Sequence, residues 1–401
     1  MKNLLIATTA LVATAGVAAA EINFSGGARF GATYSGSVTT AAVDEVAATQ
    51  GVMSAAQIAT LDAATAIADL TAPAATNAGT ANTLLAEIVA DRDAELATFN
   101  AISTPSVAQQ ATHDAEVAAY AVATTLLAGT AGTAAKAASK TKSKTSVHNR
   151  FTLNIDGTTE SDSGVEFFAR VRIRGGNTGD GATSASTVSA PRVGMTVGGI
   201  TVAAGNINGA LESQPGLYSG AVGLTGLGWG NLPINNNATG AWAWTAFSSG
   251  GGGSNGVEVI YSANGFGAHM SVAGASGAQR TAMNVSYKIN DWTVALGHQS
   301  SDVANEDTTL LTVGGTIGGI VVGLAHADNS GDRDATRVNA TFSVGAASKV
   351  TAYYTAASGV GREDAYGLGF THSLGGATLA GGVANSFTGQ TSADLGVRFN
   401  F

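Results

Sequence analysis

The segment ADLGVRFNF, residues 393–401, alternates without a break. Ala393, Leu395, Val397, Phe399 and Phe401 are apolar, while Asp394, Gly396, Arg398 and Asn400 between them are polar or small. A period of two with one apolar face describes a strand greasy on one side and wet on the other. Such a strand needs a cover for its apolar face and a partner along its edge.

The same pattern recurs from about residue 147 onward. RFTLNID (150–156) sets Phe151, Leu153 and Ile155 against Arg150, Thr152, Asn154 and Asp156. GVEFFARVRIRG (164–175) sets Val165, Phe167, Ala169, Val171 and Ile173 against Glu166, Phe168, Arg170, Arg172 and Arg174. Gly, Asn, Asp and Ser punctuate the segments, alternating between tight connections (198–199, 263–265, 290–291, 318–319) and longer polar ones (302–307, 329–334, 359–364, 387–392). Strands are expected at 21–34, 147–158, 164–176, 187–197, 200–206, 256–262, 266–274, 280–289, 292–300, 308–317, 320–328, 335–344, 348–357, 365–373, 377–385 and 393–401, sixteen in all.

Composition says what covers the apolar faces. Of 401 residues only 12% are charged, against roughly a quarter in an average soluble protein. Beyond the first 20 residues no apolar run approaches the roughly 20 needed for a spanning helix. A membrane protein without spanning helices must pair its backbone strand to strand in a closed sheet. Short turns at one end and long loops at the other fit such a barrel in an outer membrane. The last strand then closes on the first, EINFSGGARFGATY (21–34), which alternates in step.

Several signals set the context. MKNLLIATTALVATAGVAAA (1–20) has an early lysine, a short apolar stretch and an A-x-A finish, which predicts a cleaved signal peptide and export. There is no cysteine, so no disulfide framework. The formal net charge of −9 argues against a nucleic-acid partner. Six scattered histidines show no metal-ligand spacing, and no arrangement suggests a catalytic pair, so neither enzyme chemistry nor a cofactor is expected. GGGGSNG (250–256) is followed by no helix signal and does not read as a phosphate loop.

Two stretches break the strand rhythm. Residues 207–255 form a connection far longer than usual, rich in Gly and bearing Trp229, Trp242, Trp244, Leu224 and Leu227. An apolar, aromatic loop on an exported barrel is better tucked into the lumen, as a pore constriction, than left in solvent. Residues 39–145 are Ala-rich with helical spacing, which predicts helices over 54–71, 81–102 and 106–128 and a basic tail at 136–146. If both termini are periplasmic, this insertion lies on the extracellular side, between a first strand within 21–38 and the remaining barrel, 146–401.

The closing strand with its final Phe, the AEINFSGGARFG start (20–31), GTTESDSGVEFFARVR (157–172) and the long loop after the fifth strand together resemble the general porins of alphaproteobacteria, of the Rhodobacter type. The resemblance covers nearly everything outside 39–145. It implies a sixteen-stranded trimeric outer-membrane barrel passing ions and small hydrophilic solutes through a lumen narrowed by the third external loop. It also implies a cluster of wall arginines facing loop carboxylates.

By alternation Arg29, Arg150, Arg170, Arg172 and Arg174 all point inward from the first three strands, and Arg192, Arg337 and Arg398 do so elsewhere. An arginine facing lipid at the midplane would cost about 2–4 kcal/mol. The loop departs from the family pattern, because Glu212 is its only charge. A basic constriction made of Arg29, Arg150, Arg170, Arg172, Arg174 and the single Glu212 is therefore expected to prefer anions. The rival reading is a surface adhesin, with the barrel anchoring a functional 39–145 segment. A soluble Gly-rich solenoid is disfavoured by the lack of a fixed repeat period.

Overall fold

The computed structural model describes residues 20–40, 106–108, 110–111, 114, 139–177, 183–240, 242–248, 255–274 and 276–401. The predicted signal peptide, apart from Ala20, and the predicted helices over 54–71 and 81–102 lie outside the described residues. Of the predicted helix over 106–128, residues 107, 108, 110, 111 and 114 are described, in α-helical conformation. The chain forms two compact units, one of residues 1–38 and 141–401, the other of residues 39–140.

The first unit is a closed antiparallel barrel. Its strands are β1 (Glu21–Ser35), β2 (Lys144–Glu160), β3 (Glu166–Asn177), β4 (Thr183–Val188 continued by Arg192–Val197), β5 (Ile200–Asn206), β6 (Asn255–Ala263), β7 (Phe266–Ala273) and β8 (Arg280–Ile289). They continue as β9 (Trp292–Ser301), β10 (Thr308–Ile317), β11 (Ile320–Asn329), β12 (Ala335–Val344), β13 (Ser348–Ala357), β14 (Ala365–Ser373), β15 (Thr378–Asn385) and β16 (Thr391–Asn400). Seventeen segments hydrogen-bond into the sheet, and the two pieces of β4 both lie along β3, so the barrel has sixteen staves. β4 breaks at Pro191, which has no N–H to give the ladder. Val38–Thr40 and Ser139–Thr141 pair as a separate two-stranded ribbon.

Closure occurs where the terminal strand implies it. β1 pairs with β16 from Gly27 opposite Asn400 to Ser35 opposite Ser392, and with β2 on its other edge. The ring of Phe401 stacks on that of Phe151 at 5.8 Å. Along β9 the burial alternates residue by residue, with Ala295 and Gln299 buried and Val294 and Leu296 exposed on the outer face. Outward aromatics Phe24, Tyr261, Phe266, Tyr287, Phe342, Phe370 and Phe399 cluster at the short-turn end, as in an interfacial girdle. Hairpins there turn on pairs with positive φ, such as Gly198–Gly199 and Asn264–Gly265, the geometry that matches strand twist.

The core lies inside the barrel. The connection between β5 and β6 folds back into the lumen and packs Ala210, Leu211, Leu217, Leu232, Ile234 and Trp244 against inward Ala282, Leu310, Ala325 and Ala327. Farther along, Val222 and Leu227 pack against Tyr353, Ala365, Ala384 and Phe387. Inward alanines on β8 and β11 make room for this loop.

Candidate functional site

Two cavities meet inside the barrel. One, about 1130 Å³, is bounded by Arg29, Arg150, Arg172 and Arg174 and by the loop residues Glu212, Tyr218 and Trp242, among others. The other, about 710 Å³, reaches toward Ser25, Asn400 and Phe401 at the short-turn end and shares the same four arginines. Residues lining both spaces mark the neck between them.

Strand register explains how the arginines gather. Arg398 lies directly opposite Arg29 across β16 and β1, and Arg29 lies directly opposite Arg150 across β1 and β2. Opposite residues on one face stand about 5 Å apart at Cβ, so this row sets three like charges side by side, an unfavourable arrangement on its own. Between β2 and β3, Arg170 faces Asp156, Arg172 faces Asn154 and Arg174 faces Thr152. Opposite the three arginines the partner thus weakens from carboxylate to amide to hydroxyl. Arg170 Nε meets Asp156 Oδ1 at 2.5 Å, and Arg172 Nε donates to Asn154 Oδ1 at 2.9 Å. Among the described residues, no carboxylate pairs with Arg29, Arg150, Arg174 or Arg398.

Of the residues expected at the constriction, Arg29, Arg150, Arg172, Arg174 and Glu212 line one cavity. Arg170 does not; it sits closer to the short-turn end, paired with Asp156. Arg29 also donates from Nη1 to Leu224 O at 2.9 Å, tying the wall to the loop. The guanidinium of Arg172 lies over the Phe247 ring, 4.4 Å from its centroid. Glu212 is held by its own loop: Tyr218 Oη donates to Oε1 at 2.6 Å and Trp244 Nε1 to Oε2 at 2.8 Å. Burial and the adjacent carboxylate push the Tyr218 phenol well above its ordinary pKa, so it remains a donor.

The loop is pinned by residues whose role alternation alone does not reveal. Arg337 on β12 is fully buried; its Nη1 donates to Leu217 O, Ser219 O and Asn231 O at 2.8, 2.9 and 3.0 Å, and its Nη2 to Gly216 O at 2.9 Å. The sequence places it in the open lumen, but the loop covers it. Asp394 on β16 accepts from Leu224 N at 2.8 Å and from Thr225 N and Oγ1, both at 2.7 Å. Asn236 Nδ2 donates to the carbonyls of Arg333, Asp334 and Ser358 at 2.9–3.0 Å. Glu258 on β6 is also buried, between Arg192 at 2.6 Å and His269 at 3.0 Å. Among the described residues no cluster of three His, Asp or Glu side chains could hold a metal ion.

The model of the Gram-negative porin family matches residues 63–392. The chain belongs to that family. A porin of Fuscovulum blasticum is 27% identical over 282 residues, which cover 64% of this chain and 92% of that one. A solved triple mutant of Rhodopseudomonas blastica porin superposes with a TM-score of 0.57 at 26% identity, over 64% of this chain and 92% of the other. Another mutant of the same porin aligns over 95% of this chain and all of its own, with a TM-score of 0.60, and at 19% identity shows the fold alone. This porin is thus a general diffusion channel of the Gram-negative outer membrane, passing ions and small hydrophilic solutes through its lumen. Its family is one of channels rather than enzymes.

Proposed function

We propose that this porin prefers anions, with Arg29, Arg150, Arg172 and Arg174 as the charged wall of its neck, outnumbering the single carboxylate of Glu212, while Arg170 is offset by Asp156. One observation carries the reading. Glu212 is the only charge in the loop, a single carboxylate facing four wall arginines, while no carboxylate forms an ion pair with the row Arg398–Arg29–Arg150 among the described residues. A ring of positive side chains at a constriction raises local anion concentration and repels cations. Reversal potentials of single channels in asymmetric KCl test it. The potential is expected to lie toward the chloride limit and to move toward zero in the triple variant Arg29→Ser, Arg150→Ser, Arg174→Ser. A cation-preferring wild type would overturn the reading.

The porin is also proposed to work as a homotrimer. In support, β5 has seven residues, shorter than the 9–11 of a tilted spanning strand, and β4 is interrupted between Val188 and Arg192. The outer face here carries Phe167 of β3, Val193 and Met195 of β4 and Val257 of β6, which a neighbouring copy would cover. Mass measurement in mild detergent should give three chains per particle; a monomer would refute it. Of the expected insertion over 39–145, residues 39–40, 139–141 and 144–145 are strand; the stretch between Thr40 and Ser139 is proposed as a helical insertion between the first two strands, supported by the helical residues 107, 108, 110, 111 and 114. Deleting 39–140 should remove the helical component of the circular dichroism spectrum and leave the β component.

A further inference from the structure

The neck has two unlike walls, and the proposed anion preference uses only the basic one. Facing the larger cavity, the loop sets four aromatic rings in a continuous chain. Tyr218 meets Trp229 edge-on at 5.6 Å between centroids, Trp229 meets Trp242 at 6.0 Å, and Trp242 meets Trp244 at 5.1 Å. The polar ends of Tyr218 and Trp244 are tied to the same Glu212 carboxylate, which fixes the outer members of the chain. Arg150, Arg172 and Arg174 line the same cavity.

Trp229 lies partly against the buried cluster, but core packing does not account for Trp242. Trp244 is buried, but Trp242 leaves 42% of its surface open. Trp229 and Trp242 also hold φ of +55° and +66°, a left-handed backbone that is strained for bulky residues and natural for glycine. Strain retained at a solvent-facing site points to a required side-chain position. An open indole face is a stacking surface for another flat ring, preferentially offset or edge-on. Guanidinium groups without a carboxylate of their own supply a fork suited to bidentate capture of one.

We propose that the neck is a recognition subsite for planar aromatic carboxylates, the solute's ring lying against Trp242 and Trp229 while its carboxylate is taken by Arg150 and Arg174. This deepens the anion-channel reading and rests on it: the basic wall draws in any anion, and the aromatic chain retains those with a flat ring. A wide, water-filled cavity makes the retention weak, with dissociation constants on the order of millimolar.

Single-channel recording with benzoate as the probe tests the proposal. Cyclohexanecarboxylate serves as the same charge on a non-planar ring, acetate as the charge without a ring, and benzyl alcohol as the ring without a charge. Benzoate should interrupt the chloride current in a saturable manner, and cyclohexanecarboxylate should need several-fold higher concentration; acetate and benzyl alcohol should give no saturable block. An aromatic pair contributes roughly a two- to tenfold change in affinity. Trp242→Leu should therefore weaken benzoate block by that factor while shifting the reversal potential far less than loss of the arginines does; Leu keeps an apolar side chain at this exposed position, and an unchanged β circular dichroism spectrum checks folding. Arg150→Ser with Arg174→Ser should reduce both benzoate block and selectivity. Benzoate quenching of tryptophan fluorescence, weakened in Trp242→Leu, supplies a readout independent of the current. Equal block by benzoate and cyclohexanecarboxylate, or block indifferent to Trp242→Leu, would overturn the subsite while leaving anion preference standing. A wild type without anion preference would bring down the underlying reading instead.

Discussion

Arg337 carries a full charge into the barrel wall beneath the loop and meets it with four carbonyl oxygens rather than a carboxylate. Those carbonyls belong to two separate stretches, 216–219 and 231, so one side chain holds together two passes of the loop. Arg337→Met removes the donors but keeps much of the volume, leaving buried acceptors unpaired at about 1–3 kcal/mol each. The expected result is a barrel that still folds, with flickering conductance and a loop newly open to proteases, measured by single-channel noise and limited proteolysis.

A second residue-level effect sits at the long-loop end. Burial raises the Glu306 carboxyl, but hydrogen bonds from Arg280 and Ser301 and the Arg280 charge outweigh it, so its pKa lies below the ordinary value. A carboxylate with a depressed folded pKa contributes stability above its unfolded pKa, near 4.3, and loses it as pH falls through the folded value. Between neutrality and pH 5 the bidentate Arg280–Glu306 pair, at 2.7 and 2.8 Å, should therefore hold. Below about pH 4 the loop at 302–307 should gain hydrogen-exchange rate in the wild type, and Glu306→Gln should show that faster exchange already at pH 7.

Among the elements, the loop and β1, β14, β15 and β16 fit through glycine. Gly31 and Gly396 oppose each other across β1 and β16, and a Cβ on Gly396 would stand 2.6 Å from Leu224 Cδ2 and 2.2 Å from Phe30 O. Gly223, with φ of +77°, lies where a Cβ would come within 2.4 Å of Asp394 Oδ1. Gly396→Val should thus lift the loop from the wall and change conductance, with little effect on secondary structure; unchanged single-channel current with intact circular dichroism would refute it. The strands themselves were legible, because alternation is local. Thus 280–289, 308–317, 335–344 and 348–357 match β8, β10, β12 and β13 end to end. β2 starts at Lys144 rather than 147, and the fourth strand begins at Thr183 and breaks before Pro191, because partners across the ladder extend a strand beyond its own apolar pattern. The inward direction of the five arginines was legible for the same local reason. That Arg170 would be neutralised by Asp156, and that Arg337 and Asp394 would grip the loop, depended on register and on contacts more than 100 residues apart, which no local pattern encodes.

For the molecule as a whole, the loop's anchors lie almost entirely on strands that follow it in the chain: Ser271, Asn284, Arg337 and Asp394. The bond from Leu224 to Asp394 joins residues 170 positions apart. Contacts this distant in sequence form late, since the intervening chain must first be ordered. The chronology of assembly is therefore built into the wall: the constriction can settle only when the final stave has docked against the first. An unfinished cylinder would remain unplugged and undiscriminating, and the last hairpin to zip would also be the step that tunes the channel.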